Sequence, residues 1–183
     1  MSGSISVPQP AVERMVPFAG HPLVVGIVPG QHPLVVRTAV ALADATRATA
    51  LHLAYADPSR YPVVEHTDGS VRHAAIDPDS DDEGWREISD QLRAQAADLI
   101  GGALPWRLDY LAGRPDRALT HLARAVDAAA IVVGTRAPGS AARLREFVEG
   151  SVAAHLSHHQ HRPVLTVPLS VVDWKEIGAP RAR

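Results

Sequence analysis

Apolar positions along this chain fall into five short runs, and between the runs their spacing changes from strand-like to helical. Leu23-Val24-Val25-Gly26-Ile27-Val28 is nearly continuous, the pattern of a central strand covered on both faces, and Pro29-Gly30 ends it. Pro33 suits the first turn of a helix, and Val36, Val40, Ala43 and Arg47 follow at helical spacing. Leu51 to Ala56 predicts a second strand, closed by Asp57-Pro58. Trp85, Ile88, Leu92 and Leu99 form the stripe of a helix that Gly101-Gly102 stops. Trp106, Leu108 and Tyr110 alternate with Arg107 and Asp109, which predicts a third strand with one wetter face at a sheet edge. Gly113-Arg114-Pro115-Asp116 turns into a helix with Leu119, Leu122 and Val126 inward; Ile131 to Val133 and Val164 to Val167 complete the strands. This alternation predicts an α/β fold, a single-domain open parallel five-stranded sheet with helices on both faces.

Two segments stand outside the rhythm. Residues 1–20 hold Ser, Gly and three prolines without a period, and read as a flexible N-terminal extension. Residues 57–84 carry eight acidic residues against two arginines and read as a surface insertion. Inside it, Tyr61 to Thr67 and Ser70 to His73 flank Asp68-Gly69, which predicts a small exposed hairpin with both turn residues at positive φ. Asp77 to Glu83 then reads as a solvated acidic run leading into the next helix.

Composition narrows the partners. With 46% apolar residues the chain can bury a core, and its net charge of −2 gives no bulk electrostatic case for nucleic acid or an anionic membrane. Zero cysteines remove disulfides and thiolate metal sites. Neither a secretion signal nor a run near the roughly 20 apolar residues of a membrane span is evident, so the expected location is cytoplasmic.

The chemistry concentrates after the fourth strand. Ile131-Val132-Val133 breaks into Gly134-Thr135-Arg136-Ala137-Pro138-Gly139, and Gly150-Ser151 opens another helical pattern. A strand, a glycine-bearing turn and a helix N-terminus present backbone N–H groups to one point, an arrangement suited to a phosphate. Ligands in such sheets sit beyond the carboxyl ends of strands where strand order reverses. Those ends are Val28-Pro29-Gly30, Ala56-Asp57 and Val133-Gly134.

These motifs together resemble the universal stress protein family over most of the chain, from about Leu23 to Val167. The resemblance rests on the Val-Gly-Ile strand, Gly113-Arg114-Pro115, Ile131 to Arg136, Gly150-Ser151-Val152-Ala153 and Arg162 to Val167. It implies strand order 3-2-1-4-5, a domain over residues 21–170 followed by a tail at 171–183, and a homodimer through Val164, Leu165, Thr166 and Val167. It also implies ATP or another adenine nucleotide as the ligand to weigh. Nucleotide-binding members carry Gly-x2-Gly-x9-Gly-Ser/Thr and an Asp ending the first strand. Here Gly134, Gly150 and Ser151 match, whereas Ala137 replaces the second glycine, twelve residues separate it from Gly150, and Val28 occupies the Asp position. In a nucleotide-binding reading, Gly134, Gly139, Gly150, Ser151 and Val152 contact phosphate, with Arg136 adding charge. Val28, Pro29 and Ala56 line the base pocket and Val133 backs it. The departures favour a degenerate or altered site on a non-catalytic stress-response regulatory module. A ligand-free dimeric interaction scaffold and a weak ATPase are the alternatives.

Other candidates reduce to structure. His155 and His159 have i, i+4 spacing, yet no third ligand is evident, and histidines suit a helix C-terminus, so no metal is expected. Glu146, Glu149 and Ser151 lack any hydrolase spacing. Trp85, Trp106 and Trp174 read as packing residues, since no basic stripe accompanies them.

Overall fold

The first strand, β1 (Leu23–Gly26), pairs on both sides in parallel, Leu23 opposite Leu51 on one flank and opposite Ala130 on the other. Its residues Leu23, Val24 and Val25 are fully buried, as an unbroken apolar run requires. The computed structural model describes residues 11–78, 83–135 and 152–169. Around β1 lie β2 (Leu51–Asp57), the antiparallel pair β3 (Arg60–Glu65) and β4 (Val71–Ala75), then β5 (Trp106–Ala112), β6 (Ala130–Gly134) and β7 (Val164–Val167). The main sheet runs β5-β2-β1-β6-β7, all parallel, which is the order 3-2-1-4-5 once the inserted hairpin is set aside.

Helices α1 (Leu34–Thr46) and α2 (Gly84–Ile100) cover one face; α3 (Pro115–Ala125) and α4 (Val152–His159) cover the other. Strand parity divides the core accordingly. Leu23, Val25, Leu51, Leu53 and Val132 meet Val35, Ala39 and Leu92, while Val24, Ala54, Ile131 and Val133 meet Leu119, Leu122 and Leu156. Burying such side chains contributes about 1.5–3 kcal/mol each before the entropy cost of ordering them. Helix ends follow local chemistry. The His32 ring accepts the Leu34 N–H at 3.1 Å, α1 closes with Arg47 at φ 55°, and Gly101 closes α2 at φ 57°. Among the described residues no helix is long and apolar enough to cross a membrane.

The end of β1 and the hairpin tip differ from the sequence expectation. Strand β1 stops at Gly26, because the Ile27 N–H still reaches Ala54 O at 2.9 Å but Val28 already lies at the surface, 44% exposed. The hairpin tip is not a two-residue turn with both residues at positive φ: Gly69 N–H donates to His66 O, the His66 N–H to Ser70 O, and only Gly69 has positive φ, +85°. This is a type I turn followed by a left-handed glycine, the three-residue solution.

The hairpin is exposed along residues 61–68, but its tip docks. A Cβ on Gly69 would lie 2.5 Å from Leu122 Cδ1 of α3, and Arg107 donates through Nη2 to Asp68 O at 2.7 Å. Below the tip, the supposedly wet face of β5 is covered. Asp109 is only 6% exposed, bonded by Arg107 Nε and set 3.1 Å from His52 Nδ1. On the other face His73 of β4 packs edge-on to Trp85 and beside Tyr110. The insertion thus straddles the outer strand, a common protection for a sheet edge.

Candidate functional site

The region beyond the strand ends is built from three connections. After β1, the Gln31 N–H donates to Val28 O at 3.1 Å, with Pro29 and Gly30 between them and Gly30 at φ 70°, as a type II turn demands. This turn sets Gln31 at the start of α1. Its backbone oxygen accepts Gln95 Nε2 from α2 at 3.1 Å, tying the two helices together above the sheet. The Gln31 side chain turns toward β6, and its Nε2 lies 3.0 Å from where a Cβ on Gly134 would be. Leu169 Cδ1 and Val35 Cγ2 close on the same point at 2.9 and 3.0 Å. Gly134 is therefore needed for close packing by its neighbours. Gln31 Oε1 is buried with no hydrogen-bond partner among the described residues.

Strand β7 extends this closure. Thr135 N–H donates to Val167 O at 2.8 Å, and the Thr135 hydroxyl accepts Leu169 N–H at 2.7 Å. The first amide after β6 is thus satisfied within the chain. Beside Val28, between α1 and α2, the cavity measures about 10 Å³ and is lined chiefly by apolar side chains such as Ile27, Val36 and Leu92. That is room for a single water at most.

At the end of β2 the chemistry is polar but fully engaged. Asp57, 7% exposed, accepts Ser59 N–H and Oγ–H on Oδ1 at 2.9 and 2.6 Å, and the Tyr110 hydroxyl on Oδ2 at 2.6 Å. Burial, then the hydrogen bond to this carboxylate, pushes the Tyr110 phenol well above its ordinary range, so it stays a donor. The Gly113 N–H, in a turn that needs φ 83°, donates to Asp57 O at 2.9 Å and leads into α3.

Of the residues singled out in the sequence, Ala56 and Val133 are buried in the α3/α4 core, and Val152 at the start of α4 packs against the same core. Gly134 faces the α1 side instead, and Val28 and Pro29 sit in the turn above β1. Arg136, Gly139, Gly150 and Ser151 lie outside the described residues, as do Glu146, Glu149 and Trp174. His155 and His159 stack at 5.9 Å between ring centres, and no group of three or more metal-ligating side chains converges among the described residues. Gln31, Asp57 and Leu169 were not singled out as site residues. Asp57 had a signal, standing at a strand's carboxyl end; Gln31 and Leu169 had none beyond their place in a loop.

Tested against an adenine nucleotide, these described residues fit poorly. The end of β1 carries no carboxylate, the one at β2 has its oxygens occupied, and the Thr135 amide is used.

The model of the universal stress protein family matches residues 21–168, well over half the chain. A solved universal stress protein in complex with cAMP is 26% identical, with a TM-score of 0.56 over 83% of this chain and 99% of that one. A universal stress protein from Archaeoglobus fulgidus in complex with dAMP is 21% identical, with a TM-score of 0.55 over 80% of this chain and 97% of that one. UspA from Lactobacillus plantarum is 17% identical, with a TM-score of 0.56 over 81% and 98% of the two chains. The last two likenesses are of fold alone. No curated protein matches the chain.

Proposed function

This chain belongs to the universal stress protein family, and from that premise we propose that it is a non-catalytic stress-response regulator with an altered adenine-nucleotide site. The observation that carries the reading is the packing at Gly134, where Gln31, Leu169 and Val35 of the same chain occupy the space beside the β1–β6 switch point. Loss of the β1 carboxylate at Val28 removes a polar anchor as well. Each such group is typically worth ten- to a hundredfold in affinity for a small ligand. A relative solved with cAMP supplies the ligand class. The regulator acts in the cytoplasm, a location its zero cysteines suit.

The protein works as a homodimer through β7. That strand pairs with β6 on one flank, and Leu165 is 38% exposed. Its other flank carries no strand among the described residues, and a terminal strand with an exposed apolar side chain favours pairing with a second copy.

Native mass spectrometry of freshly purified protein, with thermal unfolding in millimolar ATP and cAMP, tests the altered site. The expected result is a mass without nucleotide and no rise in melting temperature. Stoichiometric adenine nucleotide surviving purification rejects it.

A further inference from the structure

The strongest unassigned feature is a groove of about 600 Å³ on the outer surface between α3 and α4, away from the β1–β6 switch point. Its α3 wall follows from sequence spacing: Arg114, Arg117, His121 and Arg124 recur every three or four residues, so they share one side of the helix. The α4 wall contributes His155 and His159, which are i, i+4 neighbours with rings 5.9 Å apart.

The charge here is unbalanced. Arg114 grips Asp116 through two hydrogen bonds, Nε to Oδ1 at 3.1 Å and Nη2 to Oδ2 at 3.0 Å. Burial raises the Asp116 carboxyl, but the Arg114 guanidinium outweighs it and holds the group below its ordinary value, so that pair is internally neutral. The Arg117 and Arg124 side chains have no ion pair or hydrogen bond among the described residues. His121 stands between them with Nδ1 3.4 Å from Glu65 Oε2, and its Nε2 is buried without a hydrogen-bond partner among the described residues. Two guanidiniums with no ion pair among the described residues and three imidazoles thus meet in one concavity on a chain whose net charge is −2. Its size lies within the range of small-ligand sites.

The geometry points to a binding site for a small, multiply charged anion of the oligophosphate class. Guanidinium groups recognise phosphoryl oxygens with paired N–H donors, which a lysine cannot reproduce. Arg117 and Arg124 are seven residues apart, about 10 Å along the helix axis, a span that linked phosphoryl groups bridge and a lone phosphate does not. The site needs no adenine contact and does not depend on the switch-point crevice.

Isothermal titration of the full chain with sodium tripolyphosphate at low salt tests it. Native protein is expected to bind one equivalent; the double variant Arg117→Gln, Arg124→Gln should bind at least tenfold more weakly with an unchanged melting temperature, and Ser151→Ala should bind as the native chain does. Lysine at both arginine positions should recover only part of the affinity. Absence of binding by native protein overturns the site. So does a glutamine double variant that binds normally, or a loss confined to Ser151→Ala, which would put the phosphate in the crevice. The adenine-free probe keeps this outcome separate from that of the nucleotide experiment.

Discussion

At the scale of single residues, the polar groups near the strand ends are spent on holding connections together. Tyr110 and Asp57 are the clearest pair, a phenol donating at 2.6 Å to a carboxylate that is 7% exposed. Removing the hydroxyl in Tyr110→Phe leaves a buried oxygen short of its partner, at an expected cost of about 1–3 kcal/mol in chemical denaturation. The pH dependence has a definite sign. Because the folded phenol titrates above the ordinary tyrosine value of 10.0, its contribution is whole below pH 10 and is lost as the pH rises beyond it. The stability of the native chain should therefore fall above pH 10, and Tyr110→Phe should flatten that slope; equal slopes for the two proteins would show that the phenol titrates alike folded and unfolded. Val28 offers the complementary experiment. It is 44% exposed, so Val28→Asp should fold normally and restore an acceptor at the end of β1. Calorimetry should show ATP affinity rising roughly tenfold or more. No gain would locate the obstruction at Gln31 and Leu169 instead.

At the scale of elements, the insertion shows how far a pattern can be read. Asp68-Gly69 between short runs locates the hairpin correctly, since glycine alone takes φ +85° at no steric cost. Nothing in those residues says that the tip meets Leu122, which lies 53 positions further along the chain. The same omission makes Asp109 look solvated, when it is 6% exposed beneath Arg107, whose guanidinium bonds the hairpin tip at Asp68 O. Docking predicts a difference between two glycines. Gly30→Ala has open space and meets only the conformational cost at φ 70°, about 1 kcal/mol; Gly69→Ala adds a clash with a fully buried leucine, for a total of roughly 2–4 kcal/mol. Equal losses in urea denaturation would mean that the tip floats free. The helices were more legible than the hairpin: Leu92 and Leu119 fall on buried faces as their spacing requires.

At the scale of the whole molecule, one sheet edge is wrapped by the β3–β4 hairpin, and the other, β7, has no second strand beside it among the described residues. Leu165→Lys places a charge on that strand and should turn a dimer into a monomer in sedimentation velocity, with the fold retained. A variant that still sediments as a dimer would rule out this strand as the interface. The alternation of apolar runs and helical stripes was enough by itself to determine the five parallel strands and the helices on both faces, because the period of apolar positions that sets an element's type is a local property of the chain. The family motifs, too, are local strings. Which polar groups remain free to meet a ligand was decided only by the tertiary structure. Gln31 reaching Gly134, the Thr135 amide satisfied by Val167, and Arg117 left facing His155 across a groove all join positions more than 30 residues apart. Spacing along the chain says which way a side chain points, and only the folded path says what it meets there.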